Sequence, residues 1–216
     1  MGSINSYLGE IQRVVSEIPE KPIAGVVTLL FQAWQQGKQV FILGNGGSAS
    51  TASHMVNDLS KATITPGKPR MKVIALTDNV SLITAWANDS SYEDIFKEQL
   101  ENLLVSGDTV IGISASGSSP NVLRAMEFAR RKGAVTIAWT GLSGGRLKEI
   151  VDHCVHVPTD DVGMIESAHL ILDHLITREL SRCIRTGECA DSFDWREEQR
   201  SASQRQSFSL AGDQPN

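Results

Sequence analysis

Apolar residues at Ile4, Leu8, Ile11, Val14, Val15 and Ile18 recur at helical spacing. Pro19 and Pro22 interrupt the pattern, and Pro22 suits the opening of a second helix running to about Gln36, with Gly37 as its stop. The texture then changes. Val40-Phe41-Ile42-Leu43 is a short, almost continuous apolar run that ends in glycine. Similar runs follow at Val73–Leu76, Val110–Ile113, Val135–Trp139 and Cys154–Val157. Such runs are the mark of strands buried on both faces, as in a parallel sheet. Helical patterns lie between them, at Ser48–Lys61, Val80–Asn88, Tyr92–Leu104, Pro120–Lys132 and Gly144–Ile150, and a long final helix spans about Gly163–Arg185. Five βα units in succession predict an α/β fold. Its core is a doubly wound, five-stranded parallel sheet flanked by helices, preceded by an N-terminal helical hairpin and closed by the long C-terminal helix. One domain over residues 1–186 is expected, with residues 1–37 packing in an oligomer. Apolar positions thin out beyond it, so 187–216 reads as a polar, flexible tail.

Composition narrows the function. The chain has 216 residues, 21% of them charged, and a formal net charge of −5. That balance argues against nucleic acid as a partner, because nucleic-acid affinity rests on Lys and Arg at phosphates. A small anionic ligand remains compatible, since backbone N–H groups and hydroxyls hold phosphate well. Three cysteines, Cys154, Cys183 and Cys189, form no CxxC spacing and suggest neither a disulfide framework nor a thiolate metal knot, so a reducing cytosol is expected. The first residues lack a basic n-region and a long apolar run, and no stretch has membrane-span character. Neither a secretory route nor a membrane partner is expected.

Two strand ends carry unusual loops. Gly44-Asn45-Gly46-Gly47-Ser48 joins the first strand to a helix, and Ser48 is a candidate cap and hydroxyl donor. Ser114-Ala115-Ser116-Gly117-Ser118-Ser119-Pro120 follows the third strand and places Pro120 at the first helical position. Both sit at carboxyl ends of strands, the ligand edge of such sheets. They are rich in glycine and hydroxyls and contain no cation, which suits a sugar phosphate better than a nucleotide with magnesium. Neither the GK[ST] phosphate loop nor GxGxxG occurs, and no GxSxG elbow points to a hydrolase.

His54 and Asp58 lie four apart on a predicted helix and share a face, so one divalent ion could bridge them; a surface hydrogen bond is the plainer use of such a pair. Cys154 reads as a small buried hydrophobe, and Lys61, Lys68, Arg70 and Lys72 as a solvated loop.

The order and spacing of Gly44–Ser48, His54, Thr77-Asp78, Ala87-Asn88-Asp89, Ser114–Asn121, Thr140-Gly141 and Ile165–His174 resemble the SIS (sugar isomerase) domain proteins, and among them the phosphoheptose isomerases. The resemblance covers about Ser6 to Leu180. It implies conversion of sedoheptulose 7-phosphate to D-glycero-D-manno-heptose 7-phosphate through an enediolate, with a divalent metal, zinc by preference, in a cytoplasmic homotetramer whose active sites form at subunit interfaces. It implies that Ser48, Ser114, Ser116 and Ser119 hold the phosphate, and that Asn45, Gly46, Gly47 and Asp89 line the sugar. Metal ligation falls on His54, Asp58, Glu166 and His174, and the acid/base pair on Asp58 and His174.

The chain departs from the family pattern in places. Asp58 and Glu166 stand for glutamate and glutamine, Met164 for arginine, Ser167 for glutamate, Ala115 for threonine and Ser118 for asparagine. Glu166 and His174 are also eight residues apart, about 12 Å along a regular helix, too far for two ligands of one ion without a helix irregularity, long side chains or a neighbouring subunit. His169 is the reserve ligand, with a core or interface role preferred. The alternative functions are a non-catalytic SIS adaptor of the replication-initiator-associating type, which Thr77–Val80 resembles, and an isomerase of another ketose phosphate.

Overall fold

The computed structural model describes residues 2–189. Helices α1 (Gly2–Ser16) and α2 (Glu20–Gln35) precede the sheet. Then come β1 (Gln39–Gly44), α3 (Gly47–Lys61), β2 (Lys72–Ala75), α4 (Val80–Asp89), a 3₁₀ turn (Tyr92–Asp94) and α5 (Lys97–Leu103). They are followed by β3 (Thr109–Ser114), α6 (Pro120–Arg131), β4 (Val135–Thr140), α7 (Leu147–Ile150), β5 (His153–His156) and α8 (Val162–Thr186). All neighbouring strands run parallel, in the order β2-β1-β3-β4-β5.

Strand alternation divides the interior into two layers. Val40 and Ile42 of β1, Ile111 and Ile113 of β3, and Ile137 and Trp139 of β4 pack with α2, α3 and α8. Phe41, Leu43, Val110 and Ala138 point the other way, toward Phe96, Leu100, Met126 and Leu147. The strand order reverses at β1, so the crossover through α3 covers one face and the crossover through α6 the other. The loops leaving β1 and β3 therefore diverge and leave a crevice between neighbouring strands.

Three elements differ from the hydrophobic pattern. β2 is an edge strand and Ile74 is 40% exposed, so its apolar run is not buried on both faces. The segment from Tyr92 to Leu104 is broken into a 3₁₀ turn and a short helix. Ser90 and Ser91 both donate hydroxyl hydrogen bonds to Asp94 Oδ2, and Arg124 of α6 pairs with Asp94 and Glu93, which holds the turn against α6. α7 begins only at Leu147, because Gly144 and Gly145 adopt positive φ, +84° and +52°.

α1 is helical as expected, but Ile4 and Leu8 are exposed and only Val14 and Ile18 are buried. The expected polar tail lies outside the described residues from position 190 onward.

Candidate active site

The crevice at the reversal point is tied across its mouth by two amides. Asn45 Nδ2 donates to Asn121 Oδ1 and Asn121 Nδ2 donates to Asn45 Oδ1, both at 2.8 Å. Asn45 belongs to the β1–α3 loop, and Asn121 is the second residue of α6 and is 2% exposed. Tyr92 adds a third bond, its hydroxyl donating to Asn45 Oδ1 at 3.2 Å.

Beside this pair the β3–α6 loop forms a cup of hydroxyls. Ser114 Oγ lies 3.5 Å from Ser116 Oγ and 3.4 Å from Ser119 Oγ. Ser119 is the N-cap residue of α6, with Pro120 behind it, yet its hydroxyl makes no capping bond and turns toward Ser114. Ser114 Oγ accepts the Gly117 N–H at 3.1 Å, and Ser116 Oγ accepts the Ser118 N–H at 3.2 Å. Gly117 has φ +61°, and a side chain there would overlap the Gly144 carbonyl. Leu147 N–H also donates to Gly117 O at 2.9 Å, so the β4–α7 turn braces the cup from behind. Three hydroxyls above a helix N-terminus offer donors to a dianionic monoester, and the helix dipole favours its charge.

The β1–α3 loop meets the same crevice. Gly46, at φ +56°, is the N-cap of α3. Ser48 is therefore inside the first turn rather than at the cap, 6% exposed, with its hydroxyl unpartnered among the described residues. Asp89 sits exposed at the end of α4, and its Oδ1 accepts a bond from the neighbouring Asn88 amide at 2.7 Å. It is not hydrogen-bonded to either loop.

Further along α3 the side chains of α8 approach. His54 Nε2 and His174 Nε2 are 3.1 Å apart, and Asp58 Oδ2 lies 3.6 Å from the first and 3.8 Å from the second. Bonds of 2.0–2.1 Å at tetrahedral angles put ligand atoms about 3.4 Å apart. The triangle thus has the dimensions of three donors of one divalent ion. A fourth group completes it, for one ligand atom from each of His54, Asp58, Asp173 and His174 lies within 4.8 Å of all the others. The two histidine side chains are 43% and 55% accessible, so the assembly opens to solvent on one side. Asp173 is fully buried. Its carboxyl is pushed up to about 7, first by burial and then by the charge of Asp58.

Glu166, which the resemblance places among the ligands, is not part of this group. Its carboxylate lies against Gly47 at the start of α3, where an added Cβ would overlap it. The reason is axial. Glu166 meets Gly47, whereas Asp173 and His174 meet His54 and Asp58, so α3 and α8 advance together from the same edge of the sheet. Seven residues of helix amount to about 10 Å, which leaves Glu166 two turns short of the cluster. His169 is not a ligand either. It is 1% exposed, with Nε2 at 3.4 Å from the Thr140 carbonyl and its ring tilted against Trp139 at 5.9 Å. Burial lowers its pKa to about 4.

Asn121, Tyr92 and Asp173 are the residues that sequence reasoning passed over. Asp173 alone carried a signal, because it falls on the apolar stripe of Ile165, Ala168, Leu172 and Ile176, where a carboxylate needs a reason.

Comparison with known proteins agrees with this geometry. The SIS domain family matches residues 6–141. The "Probable phosphoheptose isomerase" of Thermoplasma acidophilum is 41% identical over 170 residues, 79% of this chain and 93% of that protein. The phosphoheptose isomerase of Trichlorobacter lovleyi is 37% identical over 174 residues, covering 80% and 87%. Among solved structures, a phosphoheptose isomerase from Neisseria gonorrhoeae superimposes with a TM-score of 0.78 at 27% identity, over 84% of this chain and 98% of that one. With the two loops at the reversal point and a five-stranded sheet of this order, the chain belongs to the SIS domain family, alongside the phosphoheptose isomerases.

Proposed function

We propose that the protein is a divalent-metal-dependent ketose–aldose phosphate isomerase that converts sedoheptulose 7-phosphate to D-glycero-D-manno-heptose 7-phosphate. The observation that carries this reading is the convergence of His54, Asp58 and His174 at spacings of 3.1–3.8 Å, on a chain that also holds a three-serine cup. A pure binding module has no need for a histidine–carboxylate triangle of those dimensions.

The phosphate rests on the hydroxyls of Ser114, Ser116 and Ser119 at the N-terminus of α6, with Ser48 offering a further hydroxyl. Asn45, held by Asn121, and the backbone of Gly46 and Gly47 line the sugar, with Asp89 added from the end of α4. Isomerisation moves one hydrogen from C1 to C2. A base removes the C1 proton to give the enediolate, a proton is returned to C2, and the O1 proton is transferred to O2 as the aldehyde forms. Asp58 and His174 are the acid/base pair of this transfer, Asp58 through the carboxylate oxygen left free of the ion and His174 when its ring nitrogen is released from it. His54, Asp58 and His174 would hold the divalent ion, zinc by preference, which when bound polarises the carbonyl and offsets charge on its oxygen. The apolar residues left exposed on α1 (Ile4, Leu8) and α8 (Leu170, Ile171, Leu175) support assembly into a homotetramer that completes the sites. None of the described helices is long and apolar enough to cross a membrane, in keeping with a cytoplasmic enzyme.

The test is incubation of the metal-loaded protein with sedoheptulose 7-phosphate in deuterated water, read by NMR of the carbon-bound protons. Deuterium entering the product at C2, or exchange at C1, that disappears in Asp58→Asn and His174→Ala supports the reading. Substrate binding without exchange for this sugar and for shorter ketose phosphates ends it in favour of a phosphosugar-binding adaptor.

A further inference from the structure

We infer that Asp173, and not Glu166, is the fourth protein ligand of the divalent ion, so that the centre in this chain is His54, Asp58, Asp173 and His174. This rests on the metal-dependent reading above and specifies its ligand set.

Geometry is the first support. A carboxylate oxygen of Asp173 joins the ring nitrogens of both histidines and a carboxylate oxygen of Asp58 within a 4.8 Å group, and Glu166 does not. Glu166 is held a level away, with its carboxylate against Gly47, about two turns of α8 from the cluster.

Burial is the second. Asp173 is 0% exposed, and its Oδ2 has no hydrogen-bond partner, while Oδ1 accepts only the Thr177 hydroxyl at 3.3 Å. A buried carboxylate oxygen with no donor loses its hydration without replacement, which is costly. Among the described residues no Lys or Arg lies in an ion pair with Asp173, and the groups facing it are His54, Asp58 and His174. A cation at the centre of that group removes the cost, because two aspartates supply the two negative charges that balance a divalent ion. Thr177 then holds the non-ligating oxygen in place, as outer partners of metal-bound carboxylates do.

Glu166 becomes a free carboxylate at the glycine loop, on the sugar side of the centre, and is not consumed in ligation.

The experiment compares metal binding by the full chain, stripped with chelator, in the wild type, Asp173→Asn and Glu166→Gln. Zinc is titrated against a chromophoric competitor, and Co²⁺ loading is followed by its visible absorption. One ion per chain is expected for the wild type. Asp173→Asn, which keeps the acceptor for Thr177, is expected to weaken binding by about 100-fold or more, and Glu166→Gln by less than about threefold. A third variant, Asp173→Cys, reads ligation directly: a near-ultraviolet thiolate-to-Co²⁺ band appears only where that side chain is bound to the ion. Thermal melts in chelator guard against misfolding, because removing an unpaired buried charge should leave apo Asp173→Asn at least as stable as the wild type.

Tight wild-type binding lost in Glu166→Gln but kept in Asp173→Asn, with no thiolate band, overturns the inference and leaves the metal-dependent reading standing. A wild type that binds no ion overturns both.

Discussion

Asn45 and Asn121 exchange two hydrogen bonds of 2.8 Å across the mouth of the crevice, each amide donating once and accepting once. The two residues are 76 positions apart, Asn45 in the β1–α3 loop and Asn121 in the first turn of α6. They set the spacing between the glycine loop and the serine cup. Each bond is worth about 1 kcal/mol net. Asn121→Ala is therefore expected to raise KM for the sugar phosphate by about tenfold while changing kcat less. Steady-state kinetics of the single variants and the Asn45→Ala/Asn121→Ala double variant check it, and the double should cost no more than the worse single, since either change removes the whole pair.

Ser119 and Ser114 should separate binding from stability. The Ser119 hydroxyl caps nothing, so Ser119→Ala should alter thermal stability by under about 0.5 kcal/mol and weaken inorganic phosphate binding about tenfold. The Gly117 N–H is shared between the Ser114 hydroxyl at 3.1 Å and the Ser114 carbonyl at 3.0 Å, so loss of the hydroxyl leaves it the carbonyl. Ser114→Ala should lose binding together with about 0.5–1.5 kcal/mol of stability, the net worth of one hydrogen bond. Calorimetric titration with phosphate beside denaturant melts reads the two effects.

Metal removal gives a third outcome. Chelator treatment should abolish C1 exchange, and added divalent ion should restore it in the wild type but not in His54→Ala, because His54 supplies one corner of the 3.1–3.8 Å triangle. Exchange NMR with parallel metal analysis of the protein decides it.

Stability toward acid follows from His169. Its pKa falls from 6.5 in the unfolded chain to about 4 in the fold, because burial disfavours the charged ring. The unfolded chain thus binds a proton that the folded chain refuses. The stabilisation is whole above pH 6.5 and is lost as pH falls toward 4, on the order of 3 kcal/mol in total. His169→Gln keeps a donor for the Thr140 carbonyl and removes the titration. Metal-free melts from pH 7 to pH 4 should show a flatter acid limb for the variant than for the wild type.

The architecture was legible because its signals are local. Five apolar runs, each followed by a 3.6-residue pattern, admit few arrangements, and Gly46, Gly117 and the serines mark the ligand edge directly. What escaped depends on distances through space. Asp173 sits beside His174 in the chain and looks like a neighbour of a ligand, and only the axial alignment of α3 with α8 shows which carboxylate faces the histidines. Ser48 looked like a cap because glycine has no side chain to announce one, yet Gly46 takes that place. The single helix expected over Tyr92–Leu104 failed because Arg124, three elements further on, holds the turn around Asp94.

His54 and His174 are separated by 120 residues of chain. The glycine loop, the serine cup and Asn121 are all complete by residue 121, but the histidine–aspartate assembly lacks half of its members until α8 is in place. During synthesis the cup still awaits the β4–α7 turn that braces it, and the histidine–aspartate assembly comes last. A product that stops short of α8 would lack both Asp173 and His174 and the apolar helix face that covers α2 and α3.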